Sequence, residues 1–129
     1  MTTRPTFRRR LPLLAALIPA LAALAVSALP AQDAAKVTPK VVRVKFENER
    51  VRVLETTSNP GDKEGMHSHP ANVVYVIEGG TLRITTPDGK SADVRFKTGD
   101  TIWREPVTHA AENIGTTRLH AIIVELKQP

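Results

Sequence analysis

His67 and His69 stand at i and i+2, and His109 follows forty residues after His69. On a β-strand side chains alternate with a period of two, so the first pair would share one face. Neutral imidazole is the commonest protein ligand for transition metals, and three converging imidazoles leave coordination positions for a substrate or water. The spacing therefore predicts a site for one divalent transition metal (Zn, Cu, Fe, Ni or Mn) held by His67, His69 and His109. Imidazole must be neutral to bind, and its reference pKa of about 6.5 predicts release of metal below about pH 6. Glu64 and Glu105 lie near the motif histidines and could lend a carboxylate, although both are expected in solvent. His120 belongs to no such pattern and is expected to be structural.

Gly61, five residues, His67-x-His69 and an apolar run closed by Gly79 resemble the first motif of the cupin superfamily. Gly99-Asp100, with Pro106 and His109 behind it, resembles the second. The resemblance spans roughly residues 41–127 and implies an all-β, cupin-type jelly-roll β-barrel with a metal inside. Asn72 stands where the family usually has a glutamate ligand, and only Pro70 and Ala71 separate it from His69. The glycine usual between the proline and histidine of the second motif is missing. The resemblance implies a dioxygenase, isomerase or decarboxylase among the activities to consider. Asn72, Tyr75 and Trp103 are the expected contacts of a small-molecule ligand, Trp103 being six residues before His109.

The elements that must position these residues are short. Apolar-rich runs at 41–46, 51–56, 73–77, 81–85, 92–96, 100–103, 109–113 and 119–126 are divided by turn residues such as Asn59-Pro60-Gly61, Gly79-Gly80 and Asp88-Gly89. No stretch after the leader has a helical period, so a single all-β domain is expected, a sandwich or barrel. Residues 73–77 are apolar at every position, and 120–124 at every position but His120. A strand with one solvated face should alternate, so a second layer or another subunit must cover these runs. A homodimer is expected, two-fold dimers being the commonest assembly.

Residues 1–31 read as a signal peptide, with Arg4, Arg8, Arg9 and Arg10 before an apolar run and small residues at Ala28 and Ala31. Cleavage would leave no stable membrane anchor and an exported protein, periplasmic or secreted. Residues 32–40 read as a flexible lead-in. The chain has 18 basic and 13 acidic residues, but the leader carries four arginines and no acid, leaving 14 against 13. Such a balance gives no basic patch for nucleic acid. With no cysteine, thiolate ligands and disulfides are excluded. Three readings follow: a metal-dependent enzyme such as a mononuclear dioxygenase, a non-enzymatic module that binds a metal or small ligand, or a metal-free structural protein of the same fold.

Overall fold

The computed structural model describes residues 32–128; the leader expected at 1–31 lies outside the described residues. A one-turn helix, α1 (Ala34–Val37), precedes nine strands: β1 (Val42–Glu47), β2 (Val51–Ser58), β3 (Lys63–His69), β4 (Asn72–Glu78), β5 (Gly80–Thr85), β6 (Ser91–Phe96), β7 (Thr101–Arg104), β8 (Val107–Asn113) and β9 (Leu119–Leu126). They form a five-stranded sheet in the order β1-β2-β9-β4-β7 and a four-stranded sheet in the order β3-β8-β5-β6. All the pairings between these strands are antiparallel. The short apolar runs and their turns predict such an all-β sandwich, and the resemblance to cupins implies its jelly-roll form.

The core lies between the sheets. In β4, Asn72, Val74 and Val76 are buried whereas Tyr75 and Ile77 are exposed, the period of two expected of a strand with one inner face. Val74 and Val76 pack with Leu82, Phe96, Ala111, Leu119 and Ala121 from both sheets. Gly79 ends this strand in the only way the packing allows, since a Cβ there would stand 2.5 Å from the Phe96 carbonyl oxygen. A second cluster joins Ala34, Val41, Val42 and Leu54.

That second cluster overturns the reading of residues 32–40 as a flexible lead-in. Asp33 caps α1 by accepting from Ala35 N, and its carboxylate takes two hydrogen bonds from Arg52 at 2.8 and 2.9 Å. Ser68 N donates to Gln32 O, tying the segment to β3. Gly65 lets α1 approach, because a Cβ there would meet Val37 Cγ1 at 2.9 Å. Ala34, Val37 and Val41 are too few and too irregularly spaced to announce this docking in advance.

The outer face of the five-stranded sheet carries an unbroken apolar row. Phe46 pairs with Val53, Val53 with Val124, Val124 with Val73 and Val73 with Trp103. Directly paired residues share a face, so these five side chains cross all five strands on the side away from the core. A bulge between Val44 and Phe46 gives Phe46 that outward direction.

Candidate metal centre

β3 was the strand least legible in the sequence, because its inward side chains are polar: Glu64, His67 and His69. Strict alternation would send Glu64 to the face opposite the two histidines. The pairing with β8 resolves this, for Glu64 faces Ala111 and His67 faces His109, so three steps on β3 match two on β8. The extra residue is a β-bulge at Gly65-Met66, and it restores the parity that turns all three polar side chains inward. Met66 is carried outward by the same bulge.

His67, His69 and His109 are all buried, and their candidate donor atoms lie within 4.8 Å of one another. Ring centroids are 4.8 Å apart from His67 to either partner and 5.6 Å between His69 and His109. His67 Nδ1 donates to Gly65 O at 2.7 Å, which leaves Nε2 as the basic nitrogen. His69 Nδ1 donates to Glu125 Oε1 at 2.6 Å, which does the same for its Nε2. A carbonyl or carboxylate behind each ring is the support that fixes the tautomer of a metal-ligating histidine. His67 Nε2 and His109 Nδ1 are buried with no hydrogen-bond partner among the described residues. An unpaired buried polar atom costs about 1–3 kcal/mol, a cost that coordination of a cation would offset. Two donors at about 2.1 Å from one ion lie at most about 4.2 Å apart, so binding would draw the cluster together by a few tenths of an ångström.

Electrostatics agree with this. Burial pushes the His109 imidazolium down to about 3, with the neighbouring His67, His69 and Arg104 adding to the effect. Burial likewise lowers His67. Both rings are thereby held neutral, the state a metal needs.

Glu64 departs from expectation in a useful way. It is 8% exposed rather than solvated, and its Oε2 stands 3.8 Å from His67 Nε2. Burial raises its carboxyl to about 7, since the described residues give it no lysine or arginine partner. Glu105, by contrast, is exposed and accepts from Trp103 Nε1 at 2.7 Å. His120 bonds to Glu55 on the outer face, consistent with a structural role. Asn72 is 1% exposed, faces the interior and donates from Nδ2 to Pro70 O at 2.7 Å, so the short Pro70-Ala71 connection has not turned it outward.

Tyr75 and Trp103 do not wall the site. They are 50% and 53% exposed and lie on the outer face, at odd positions of strands whose even positions point in. The residue that sequence reasoning missed is Arg104, next to Trp103 and of opposite direction. It lines the interior cavity together with Glu64, His69, Asn72 and His109. That cavity has a volume of about 60 Å³, and below its polar end the walls are Val74, Val76, Leu82, Ile84 and Phe96. A strand-alternation argument from buried Asn72, which pairs with Arg104, would have found it.

Comparison with known proteins bears on this arrangement directly. Residues 54–125 match the model of the cupin domain family, more than half of the chain. The chain belongs to the cupin family. A solved cupin domain from Bordetella pertussis Tohama I shares 32% identity over 68% of this chain and 93% of its own, with a TM-score of 0.62. An RmlC-like cupin family protein with a double-stranded β-helix fold, from Methanocaldococcus jannaschii, shares 19% identity over 67% of this chain and 78% of its own, with a TM-score of 0.52. At that identity the likeness is one of fold. No protein of curated function matches the chain. Within this cupin the two strands of the four-stranded sheet that carry ligand candidates, β3 and β8, lie side by side, and β9 brings Glu125 to them from the opposite sheet.

Proposed function

We propose that this cupin holds one divalent transition metal through His67, His69 and His109, with Glu64 as the fourth protein donor, and brings a small organic molecule to it inside the barrel. The observation that carries the reading is the convergence of three buried imidazoles, two of them with a buried nitrogen that nothing else among the described residues satisfies. Glu64 supports the fourth position, because 3.8 Å from His67 Nε2 is close to the spacing of two donors on one ion. A metal bound there would supply Lewis acidity and, if redox-active, a site for dioxygen.

The chain's own residues do the rest. Gly65 O and Glu125 fix two of the rings so that each presents Nε2. The apolar walls line a small cavity of about 60 Å³. Asn72 and Arg104 offer polar groups at the same end as the histidines, where a ligand's head would lie. We propose oxidation of that ligand by dioxygen as the reaction, both oxygen atoms entering the organic product. We also propose that the mature chain works outside the cytoplasm, on the strength of the basic and apolar leader at 1–31, and as a homodimer.

The test is metal analysis of the purified protein, followed by oxygen uptake with a panel of phenols, diketones and thiols. One equivalent of metal with oxygen uptake above the metal-free control is expected. Metal without uptake or product on any substrate makes the protein a binding module, and protein that takes up no metal ends the reading.

A further inference from the structure

Arg104 is a charged side chain in a place that should not hold one alone. Its guanidinium shares the cavity with His69, His109 and Asn72, and its central carbon stands 5.5 Å from the centre of the buried Phe96 ring. No carboxylate among the described residues lies within ion-pair distance of it. The two buried acids of the interior are committed elsewhere: Glu125 to His69 at 2.6 Å and Arg52 at 3.8 Å, and Glu64 to the histidine cluster. Arg104 is half-buried, and drawing a cation out of water without a counter-charge carries a cost that an anionic ligand would offset. The planar fork of an arginine fits a carboxylate with two parallel hydrogen bonds, and Phe96 holds the plane from behind.

Cavity shape narrows the class further. Past Arg104 the walls are apolar and mostly aliphatic, and about 60 Å³ suits a short chain better than a large ring. We propose that Arg104 is the carboxylate clamp of this site, and that the protein's ligand is a small aliphatic carboxylic acid whose head lies between Arg104 and the histidine cluster. This rests on the proposed function for what happens beside the metal, but not for the clamp itself.

The experiment is calorimetric titration of the zinc-loaded protein with propionate, its neutral isostere propionamide, and phosphate, with zinc content measured in every sample. Wild type should bind propionate at least about tenfold more tightly than either of the others. Arg104→Met should lose at least about tenfold in propionate affinity at unchanged zinc content, and Arg104→Lys should recover only part, having the charge without the fork. Should Arg104→Met fail to fold by circular dichroism, Arg104→Gln takes its place. No propionate binding by wild type, equal binding by wild type and variant, equal affinity for propionate and propionamide, or tighter binding of phosphate would each overturn the proposal. If zinc does not load, the metal reading fails on its own, and the same titrations of metal-free protein still decide the clamp: the preference for propionate over propionamide must persist and must vanish with Arg104.

Discussion

At the scale of single residues, the histidines were legible because chemistry restricts which residue types can bind a metal, and the glutamate was not. The i,i+2 spacing pairs His67 with His69 and the second motif adds His109, but nothing in the sequence reveals the bulge at Gly65-Met66 that turns Glu64 inward. The consequence is a pH dependence different from the one that a reference imidazole implies. Burial keeps His109 neutral down to about 3 and lowers His67, so protons compete less with metal at those two rings than at free imidazoles. Glu64 titrates near 7 in the metal-free protein. Above that pH its carboxylate is ready to bind. Below it metal must displace a proton, and affinity should fall about tenfold per pH unit. Chelator competition between about pH 5.5 and 8.5 should show that slope in wild type, and Glu64→Gln should flatten it while weakening binding at the alkaline end. A slope unchanged in the variant would remove Glu64 from the ligand set. The histidines have a simpler test. Alanine at His67, His69 or His109 should each abolish most metal uptake, while His120→Ala, on the outer face, should leave it intact.

At the scale of elements, the eight apolar runs read from the sequence all became strands, because alternation and turn residues are local signals. The ninth, β3, and α1 were not legible, one for its polar interior and the other for its brevity. Yet these two are what the site hangs on. α1 lies against β3, and Asp33 at its cap grips Arg52, which in turn approaches Glu125, the partner of His69. The Arg52 guanidinium holds the Asp33 carboxyl below its ordinary value. A depressed carboxyl contributes stability that is present above its unfolded pKa and lost as pH falls through the folded one. Asp33→Ala removes a helix cap and both close hydrogen bonds of a half-buried arginine, leaving it Glu47 and Glu125 at 3.9 and 3.8 Å, which should cost about 1–3 kcal/mol in urea unfolding near neutrality. The variant's deficit should shrink in acid as the wild-type carboxyl takes up its proton. Its metal affinity should fall far less than that of His69→Ala, since Glu125 still backs the ring. A loss below about 0.3 kcal/mol at neutral pH would show that the segment merely lies on the barrel.

At the scale of the whole molecule, the sequence posed a question that one chain leaves standing. Runs 73–77 and 120–124 are apolar on both faces, and a layer was expected to cover the second one. The jelly roll covers the inner face with the opposite sheet. The outer face keeps Phe46, Val53, Val124, Val73 and Trp103 in one row across five strands, with Phe46 and Trp103 each 53% exposed. Isolated apolar residues on a surface need no explanation, but a contiguous row ending in two aromatics is the composition of an interface core. The proposed homodimer would bury this row against its own copy, since a two-fold interface pairs the same patch with itself. Its centre is the Val124–Val73 pair, and Trp103 at one end is the residue type most often dominant in binding energy. Sedimentation equilibrium of residues 32–129 should therefore give twice the monomer mass. Val73→Arg and Trp103→Asp place charges in the row without touching the cavity, whose lining residues face the other way. Both variants should sediment as monomers and still bind metal with wild-type affinity. A wild-type monomer at concentrations of about 100 μM, where even a weak dimer of Kd near 10 μM would form, would leave the row without the partner proposed for it.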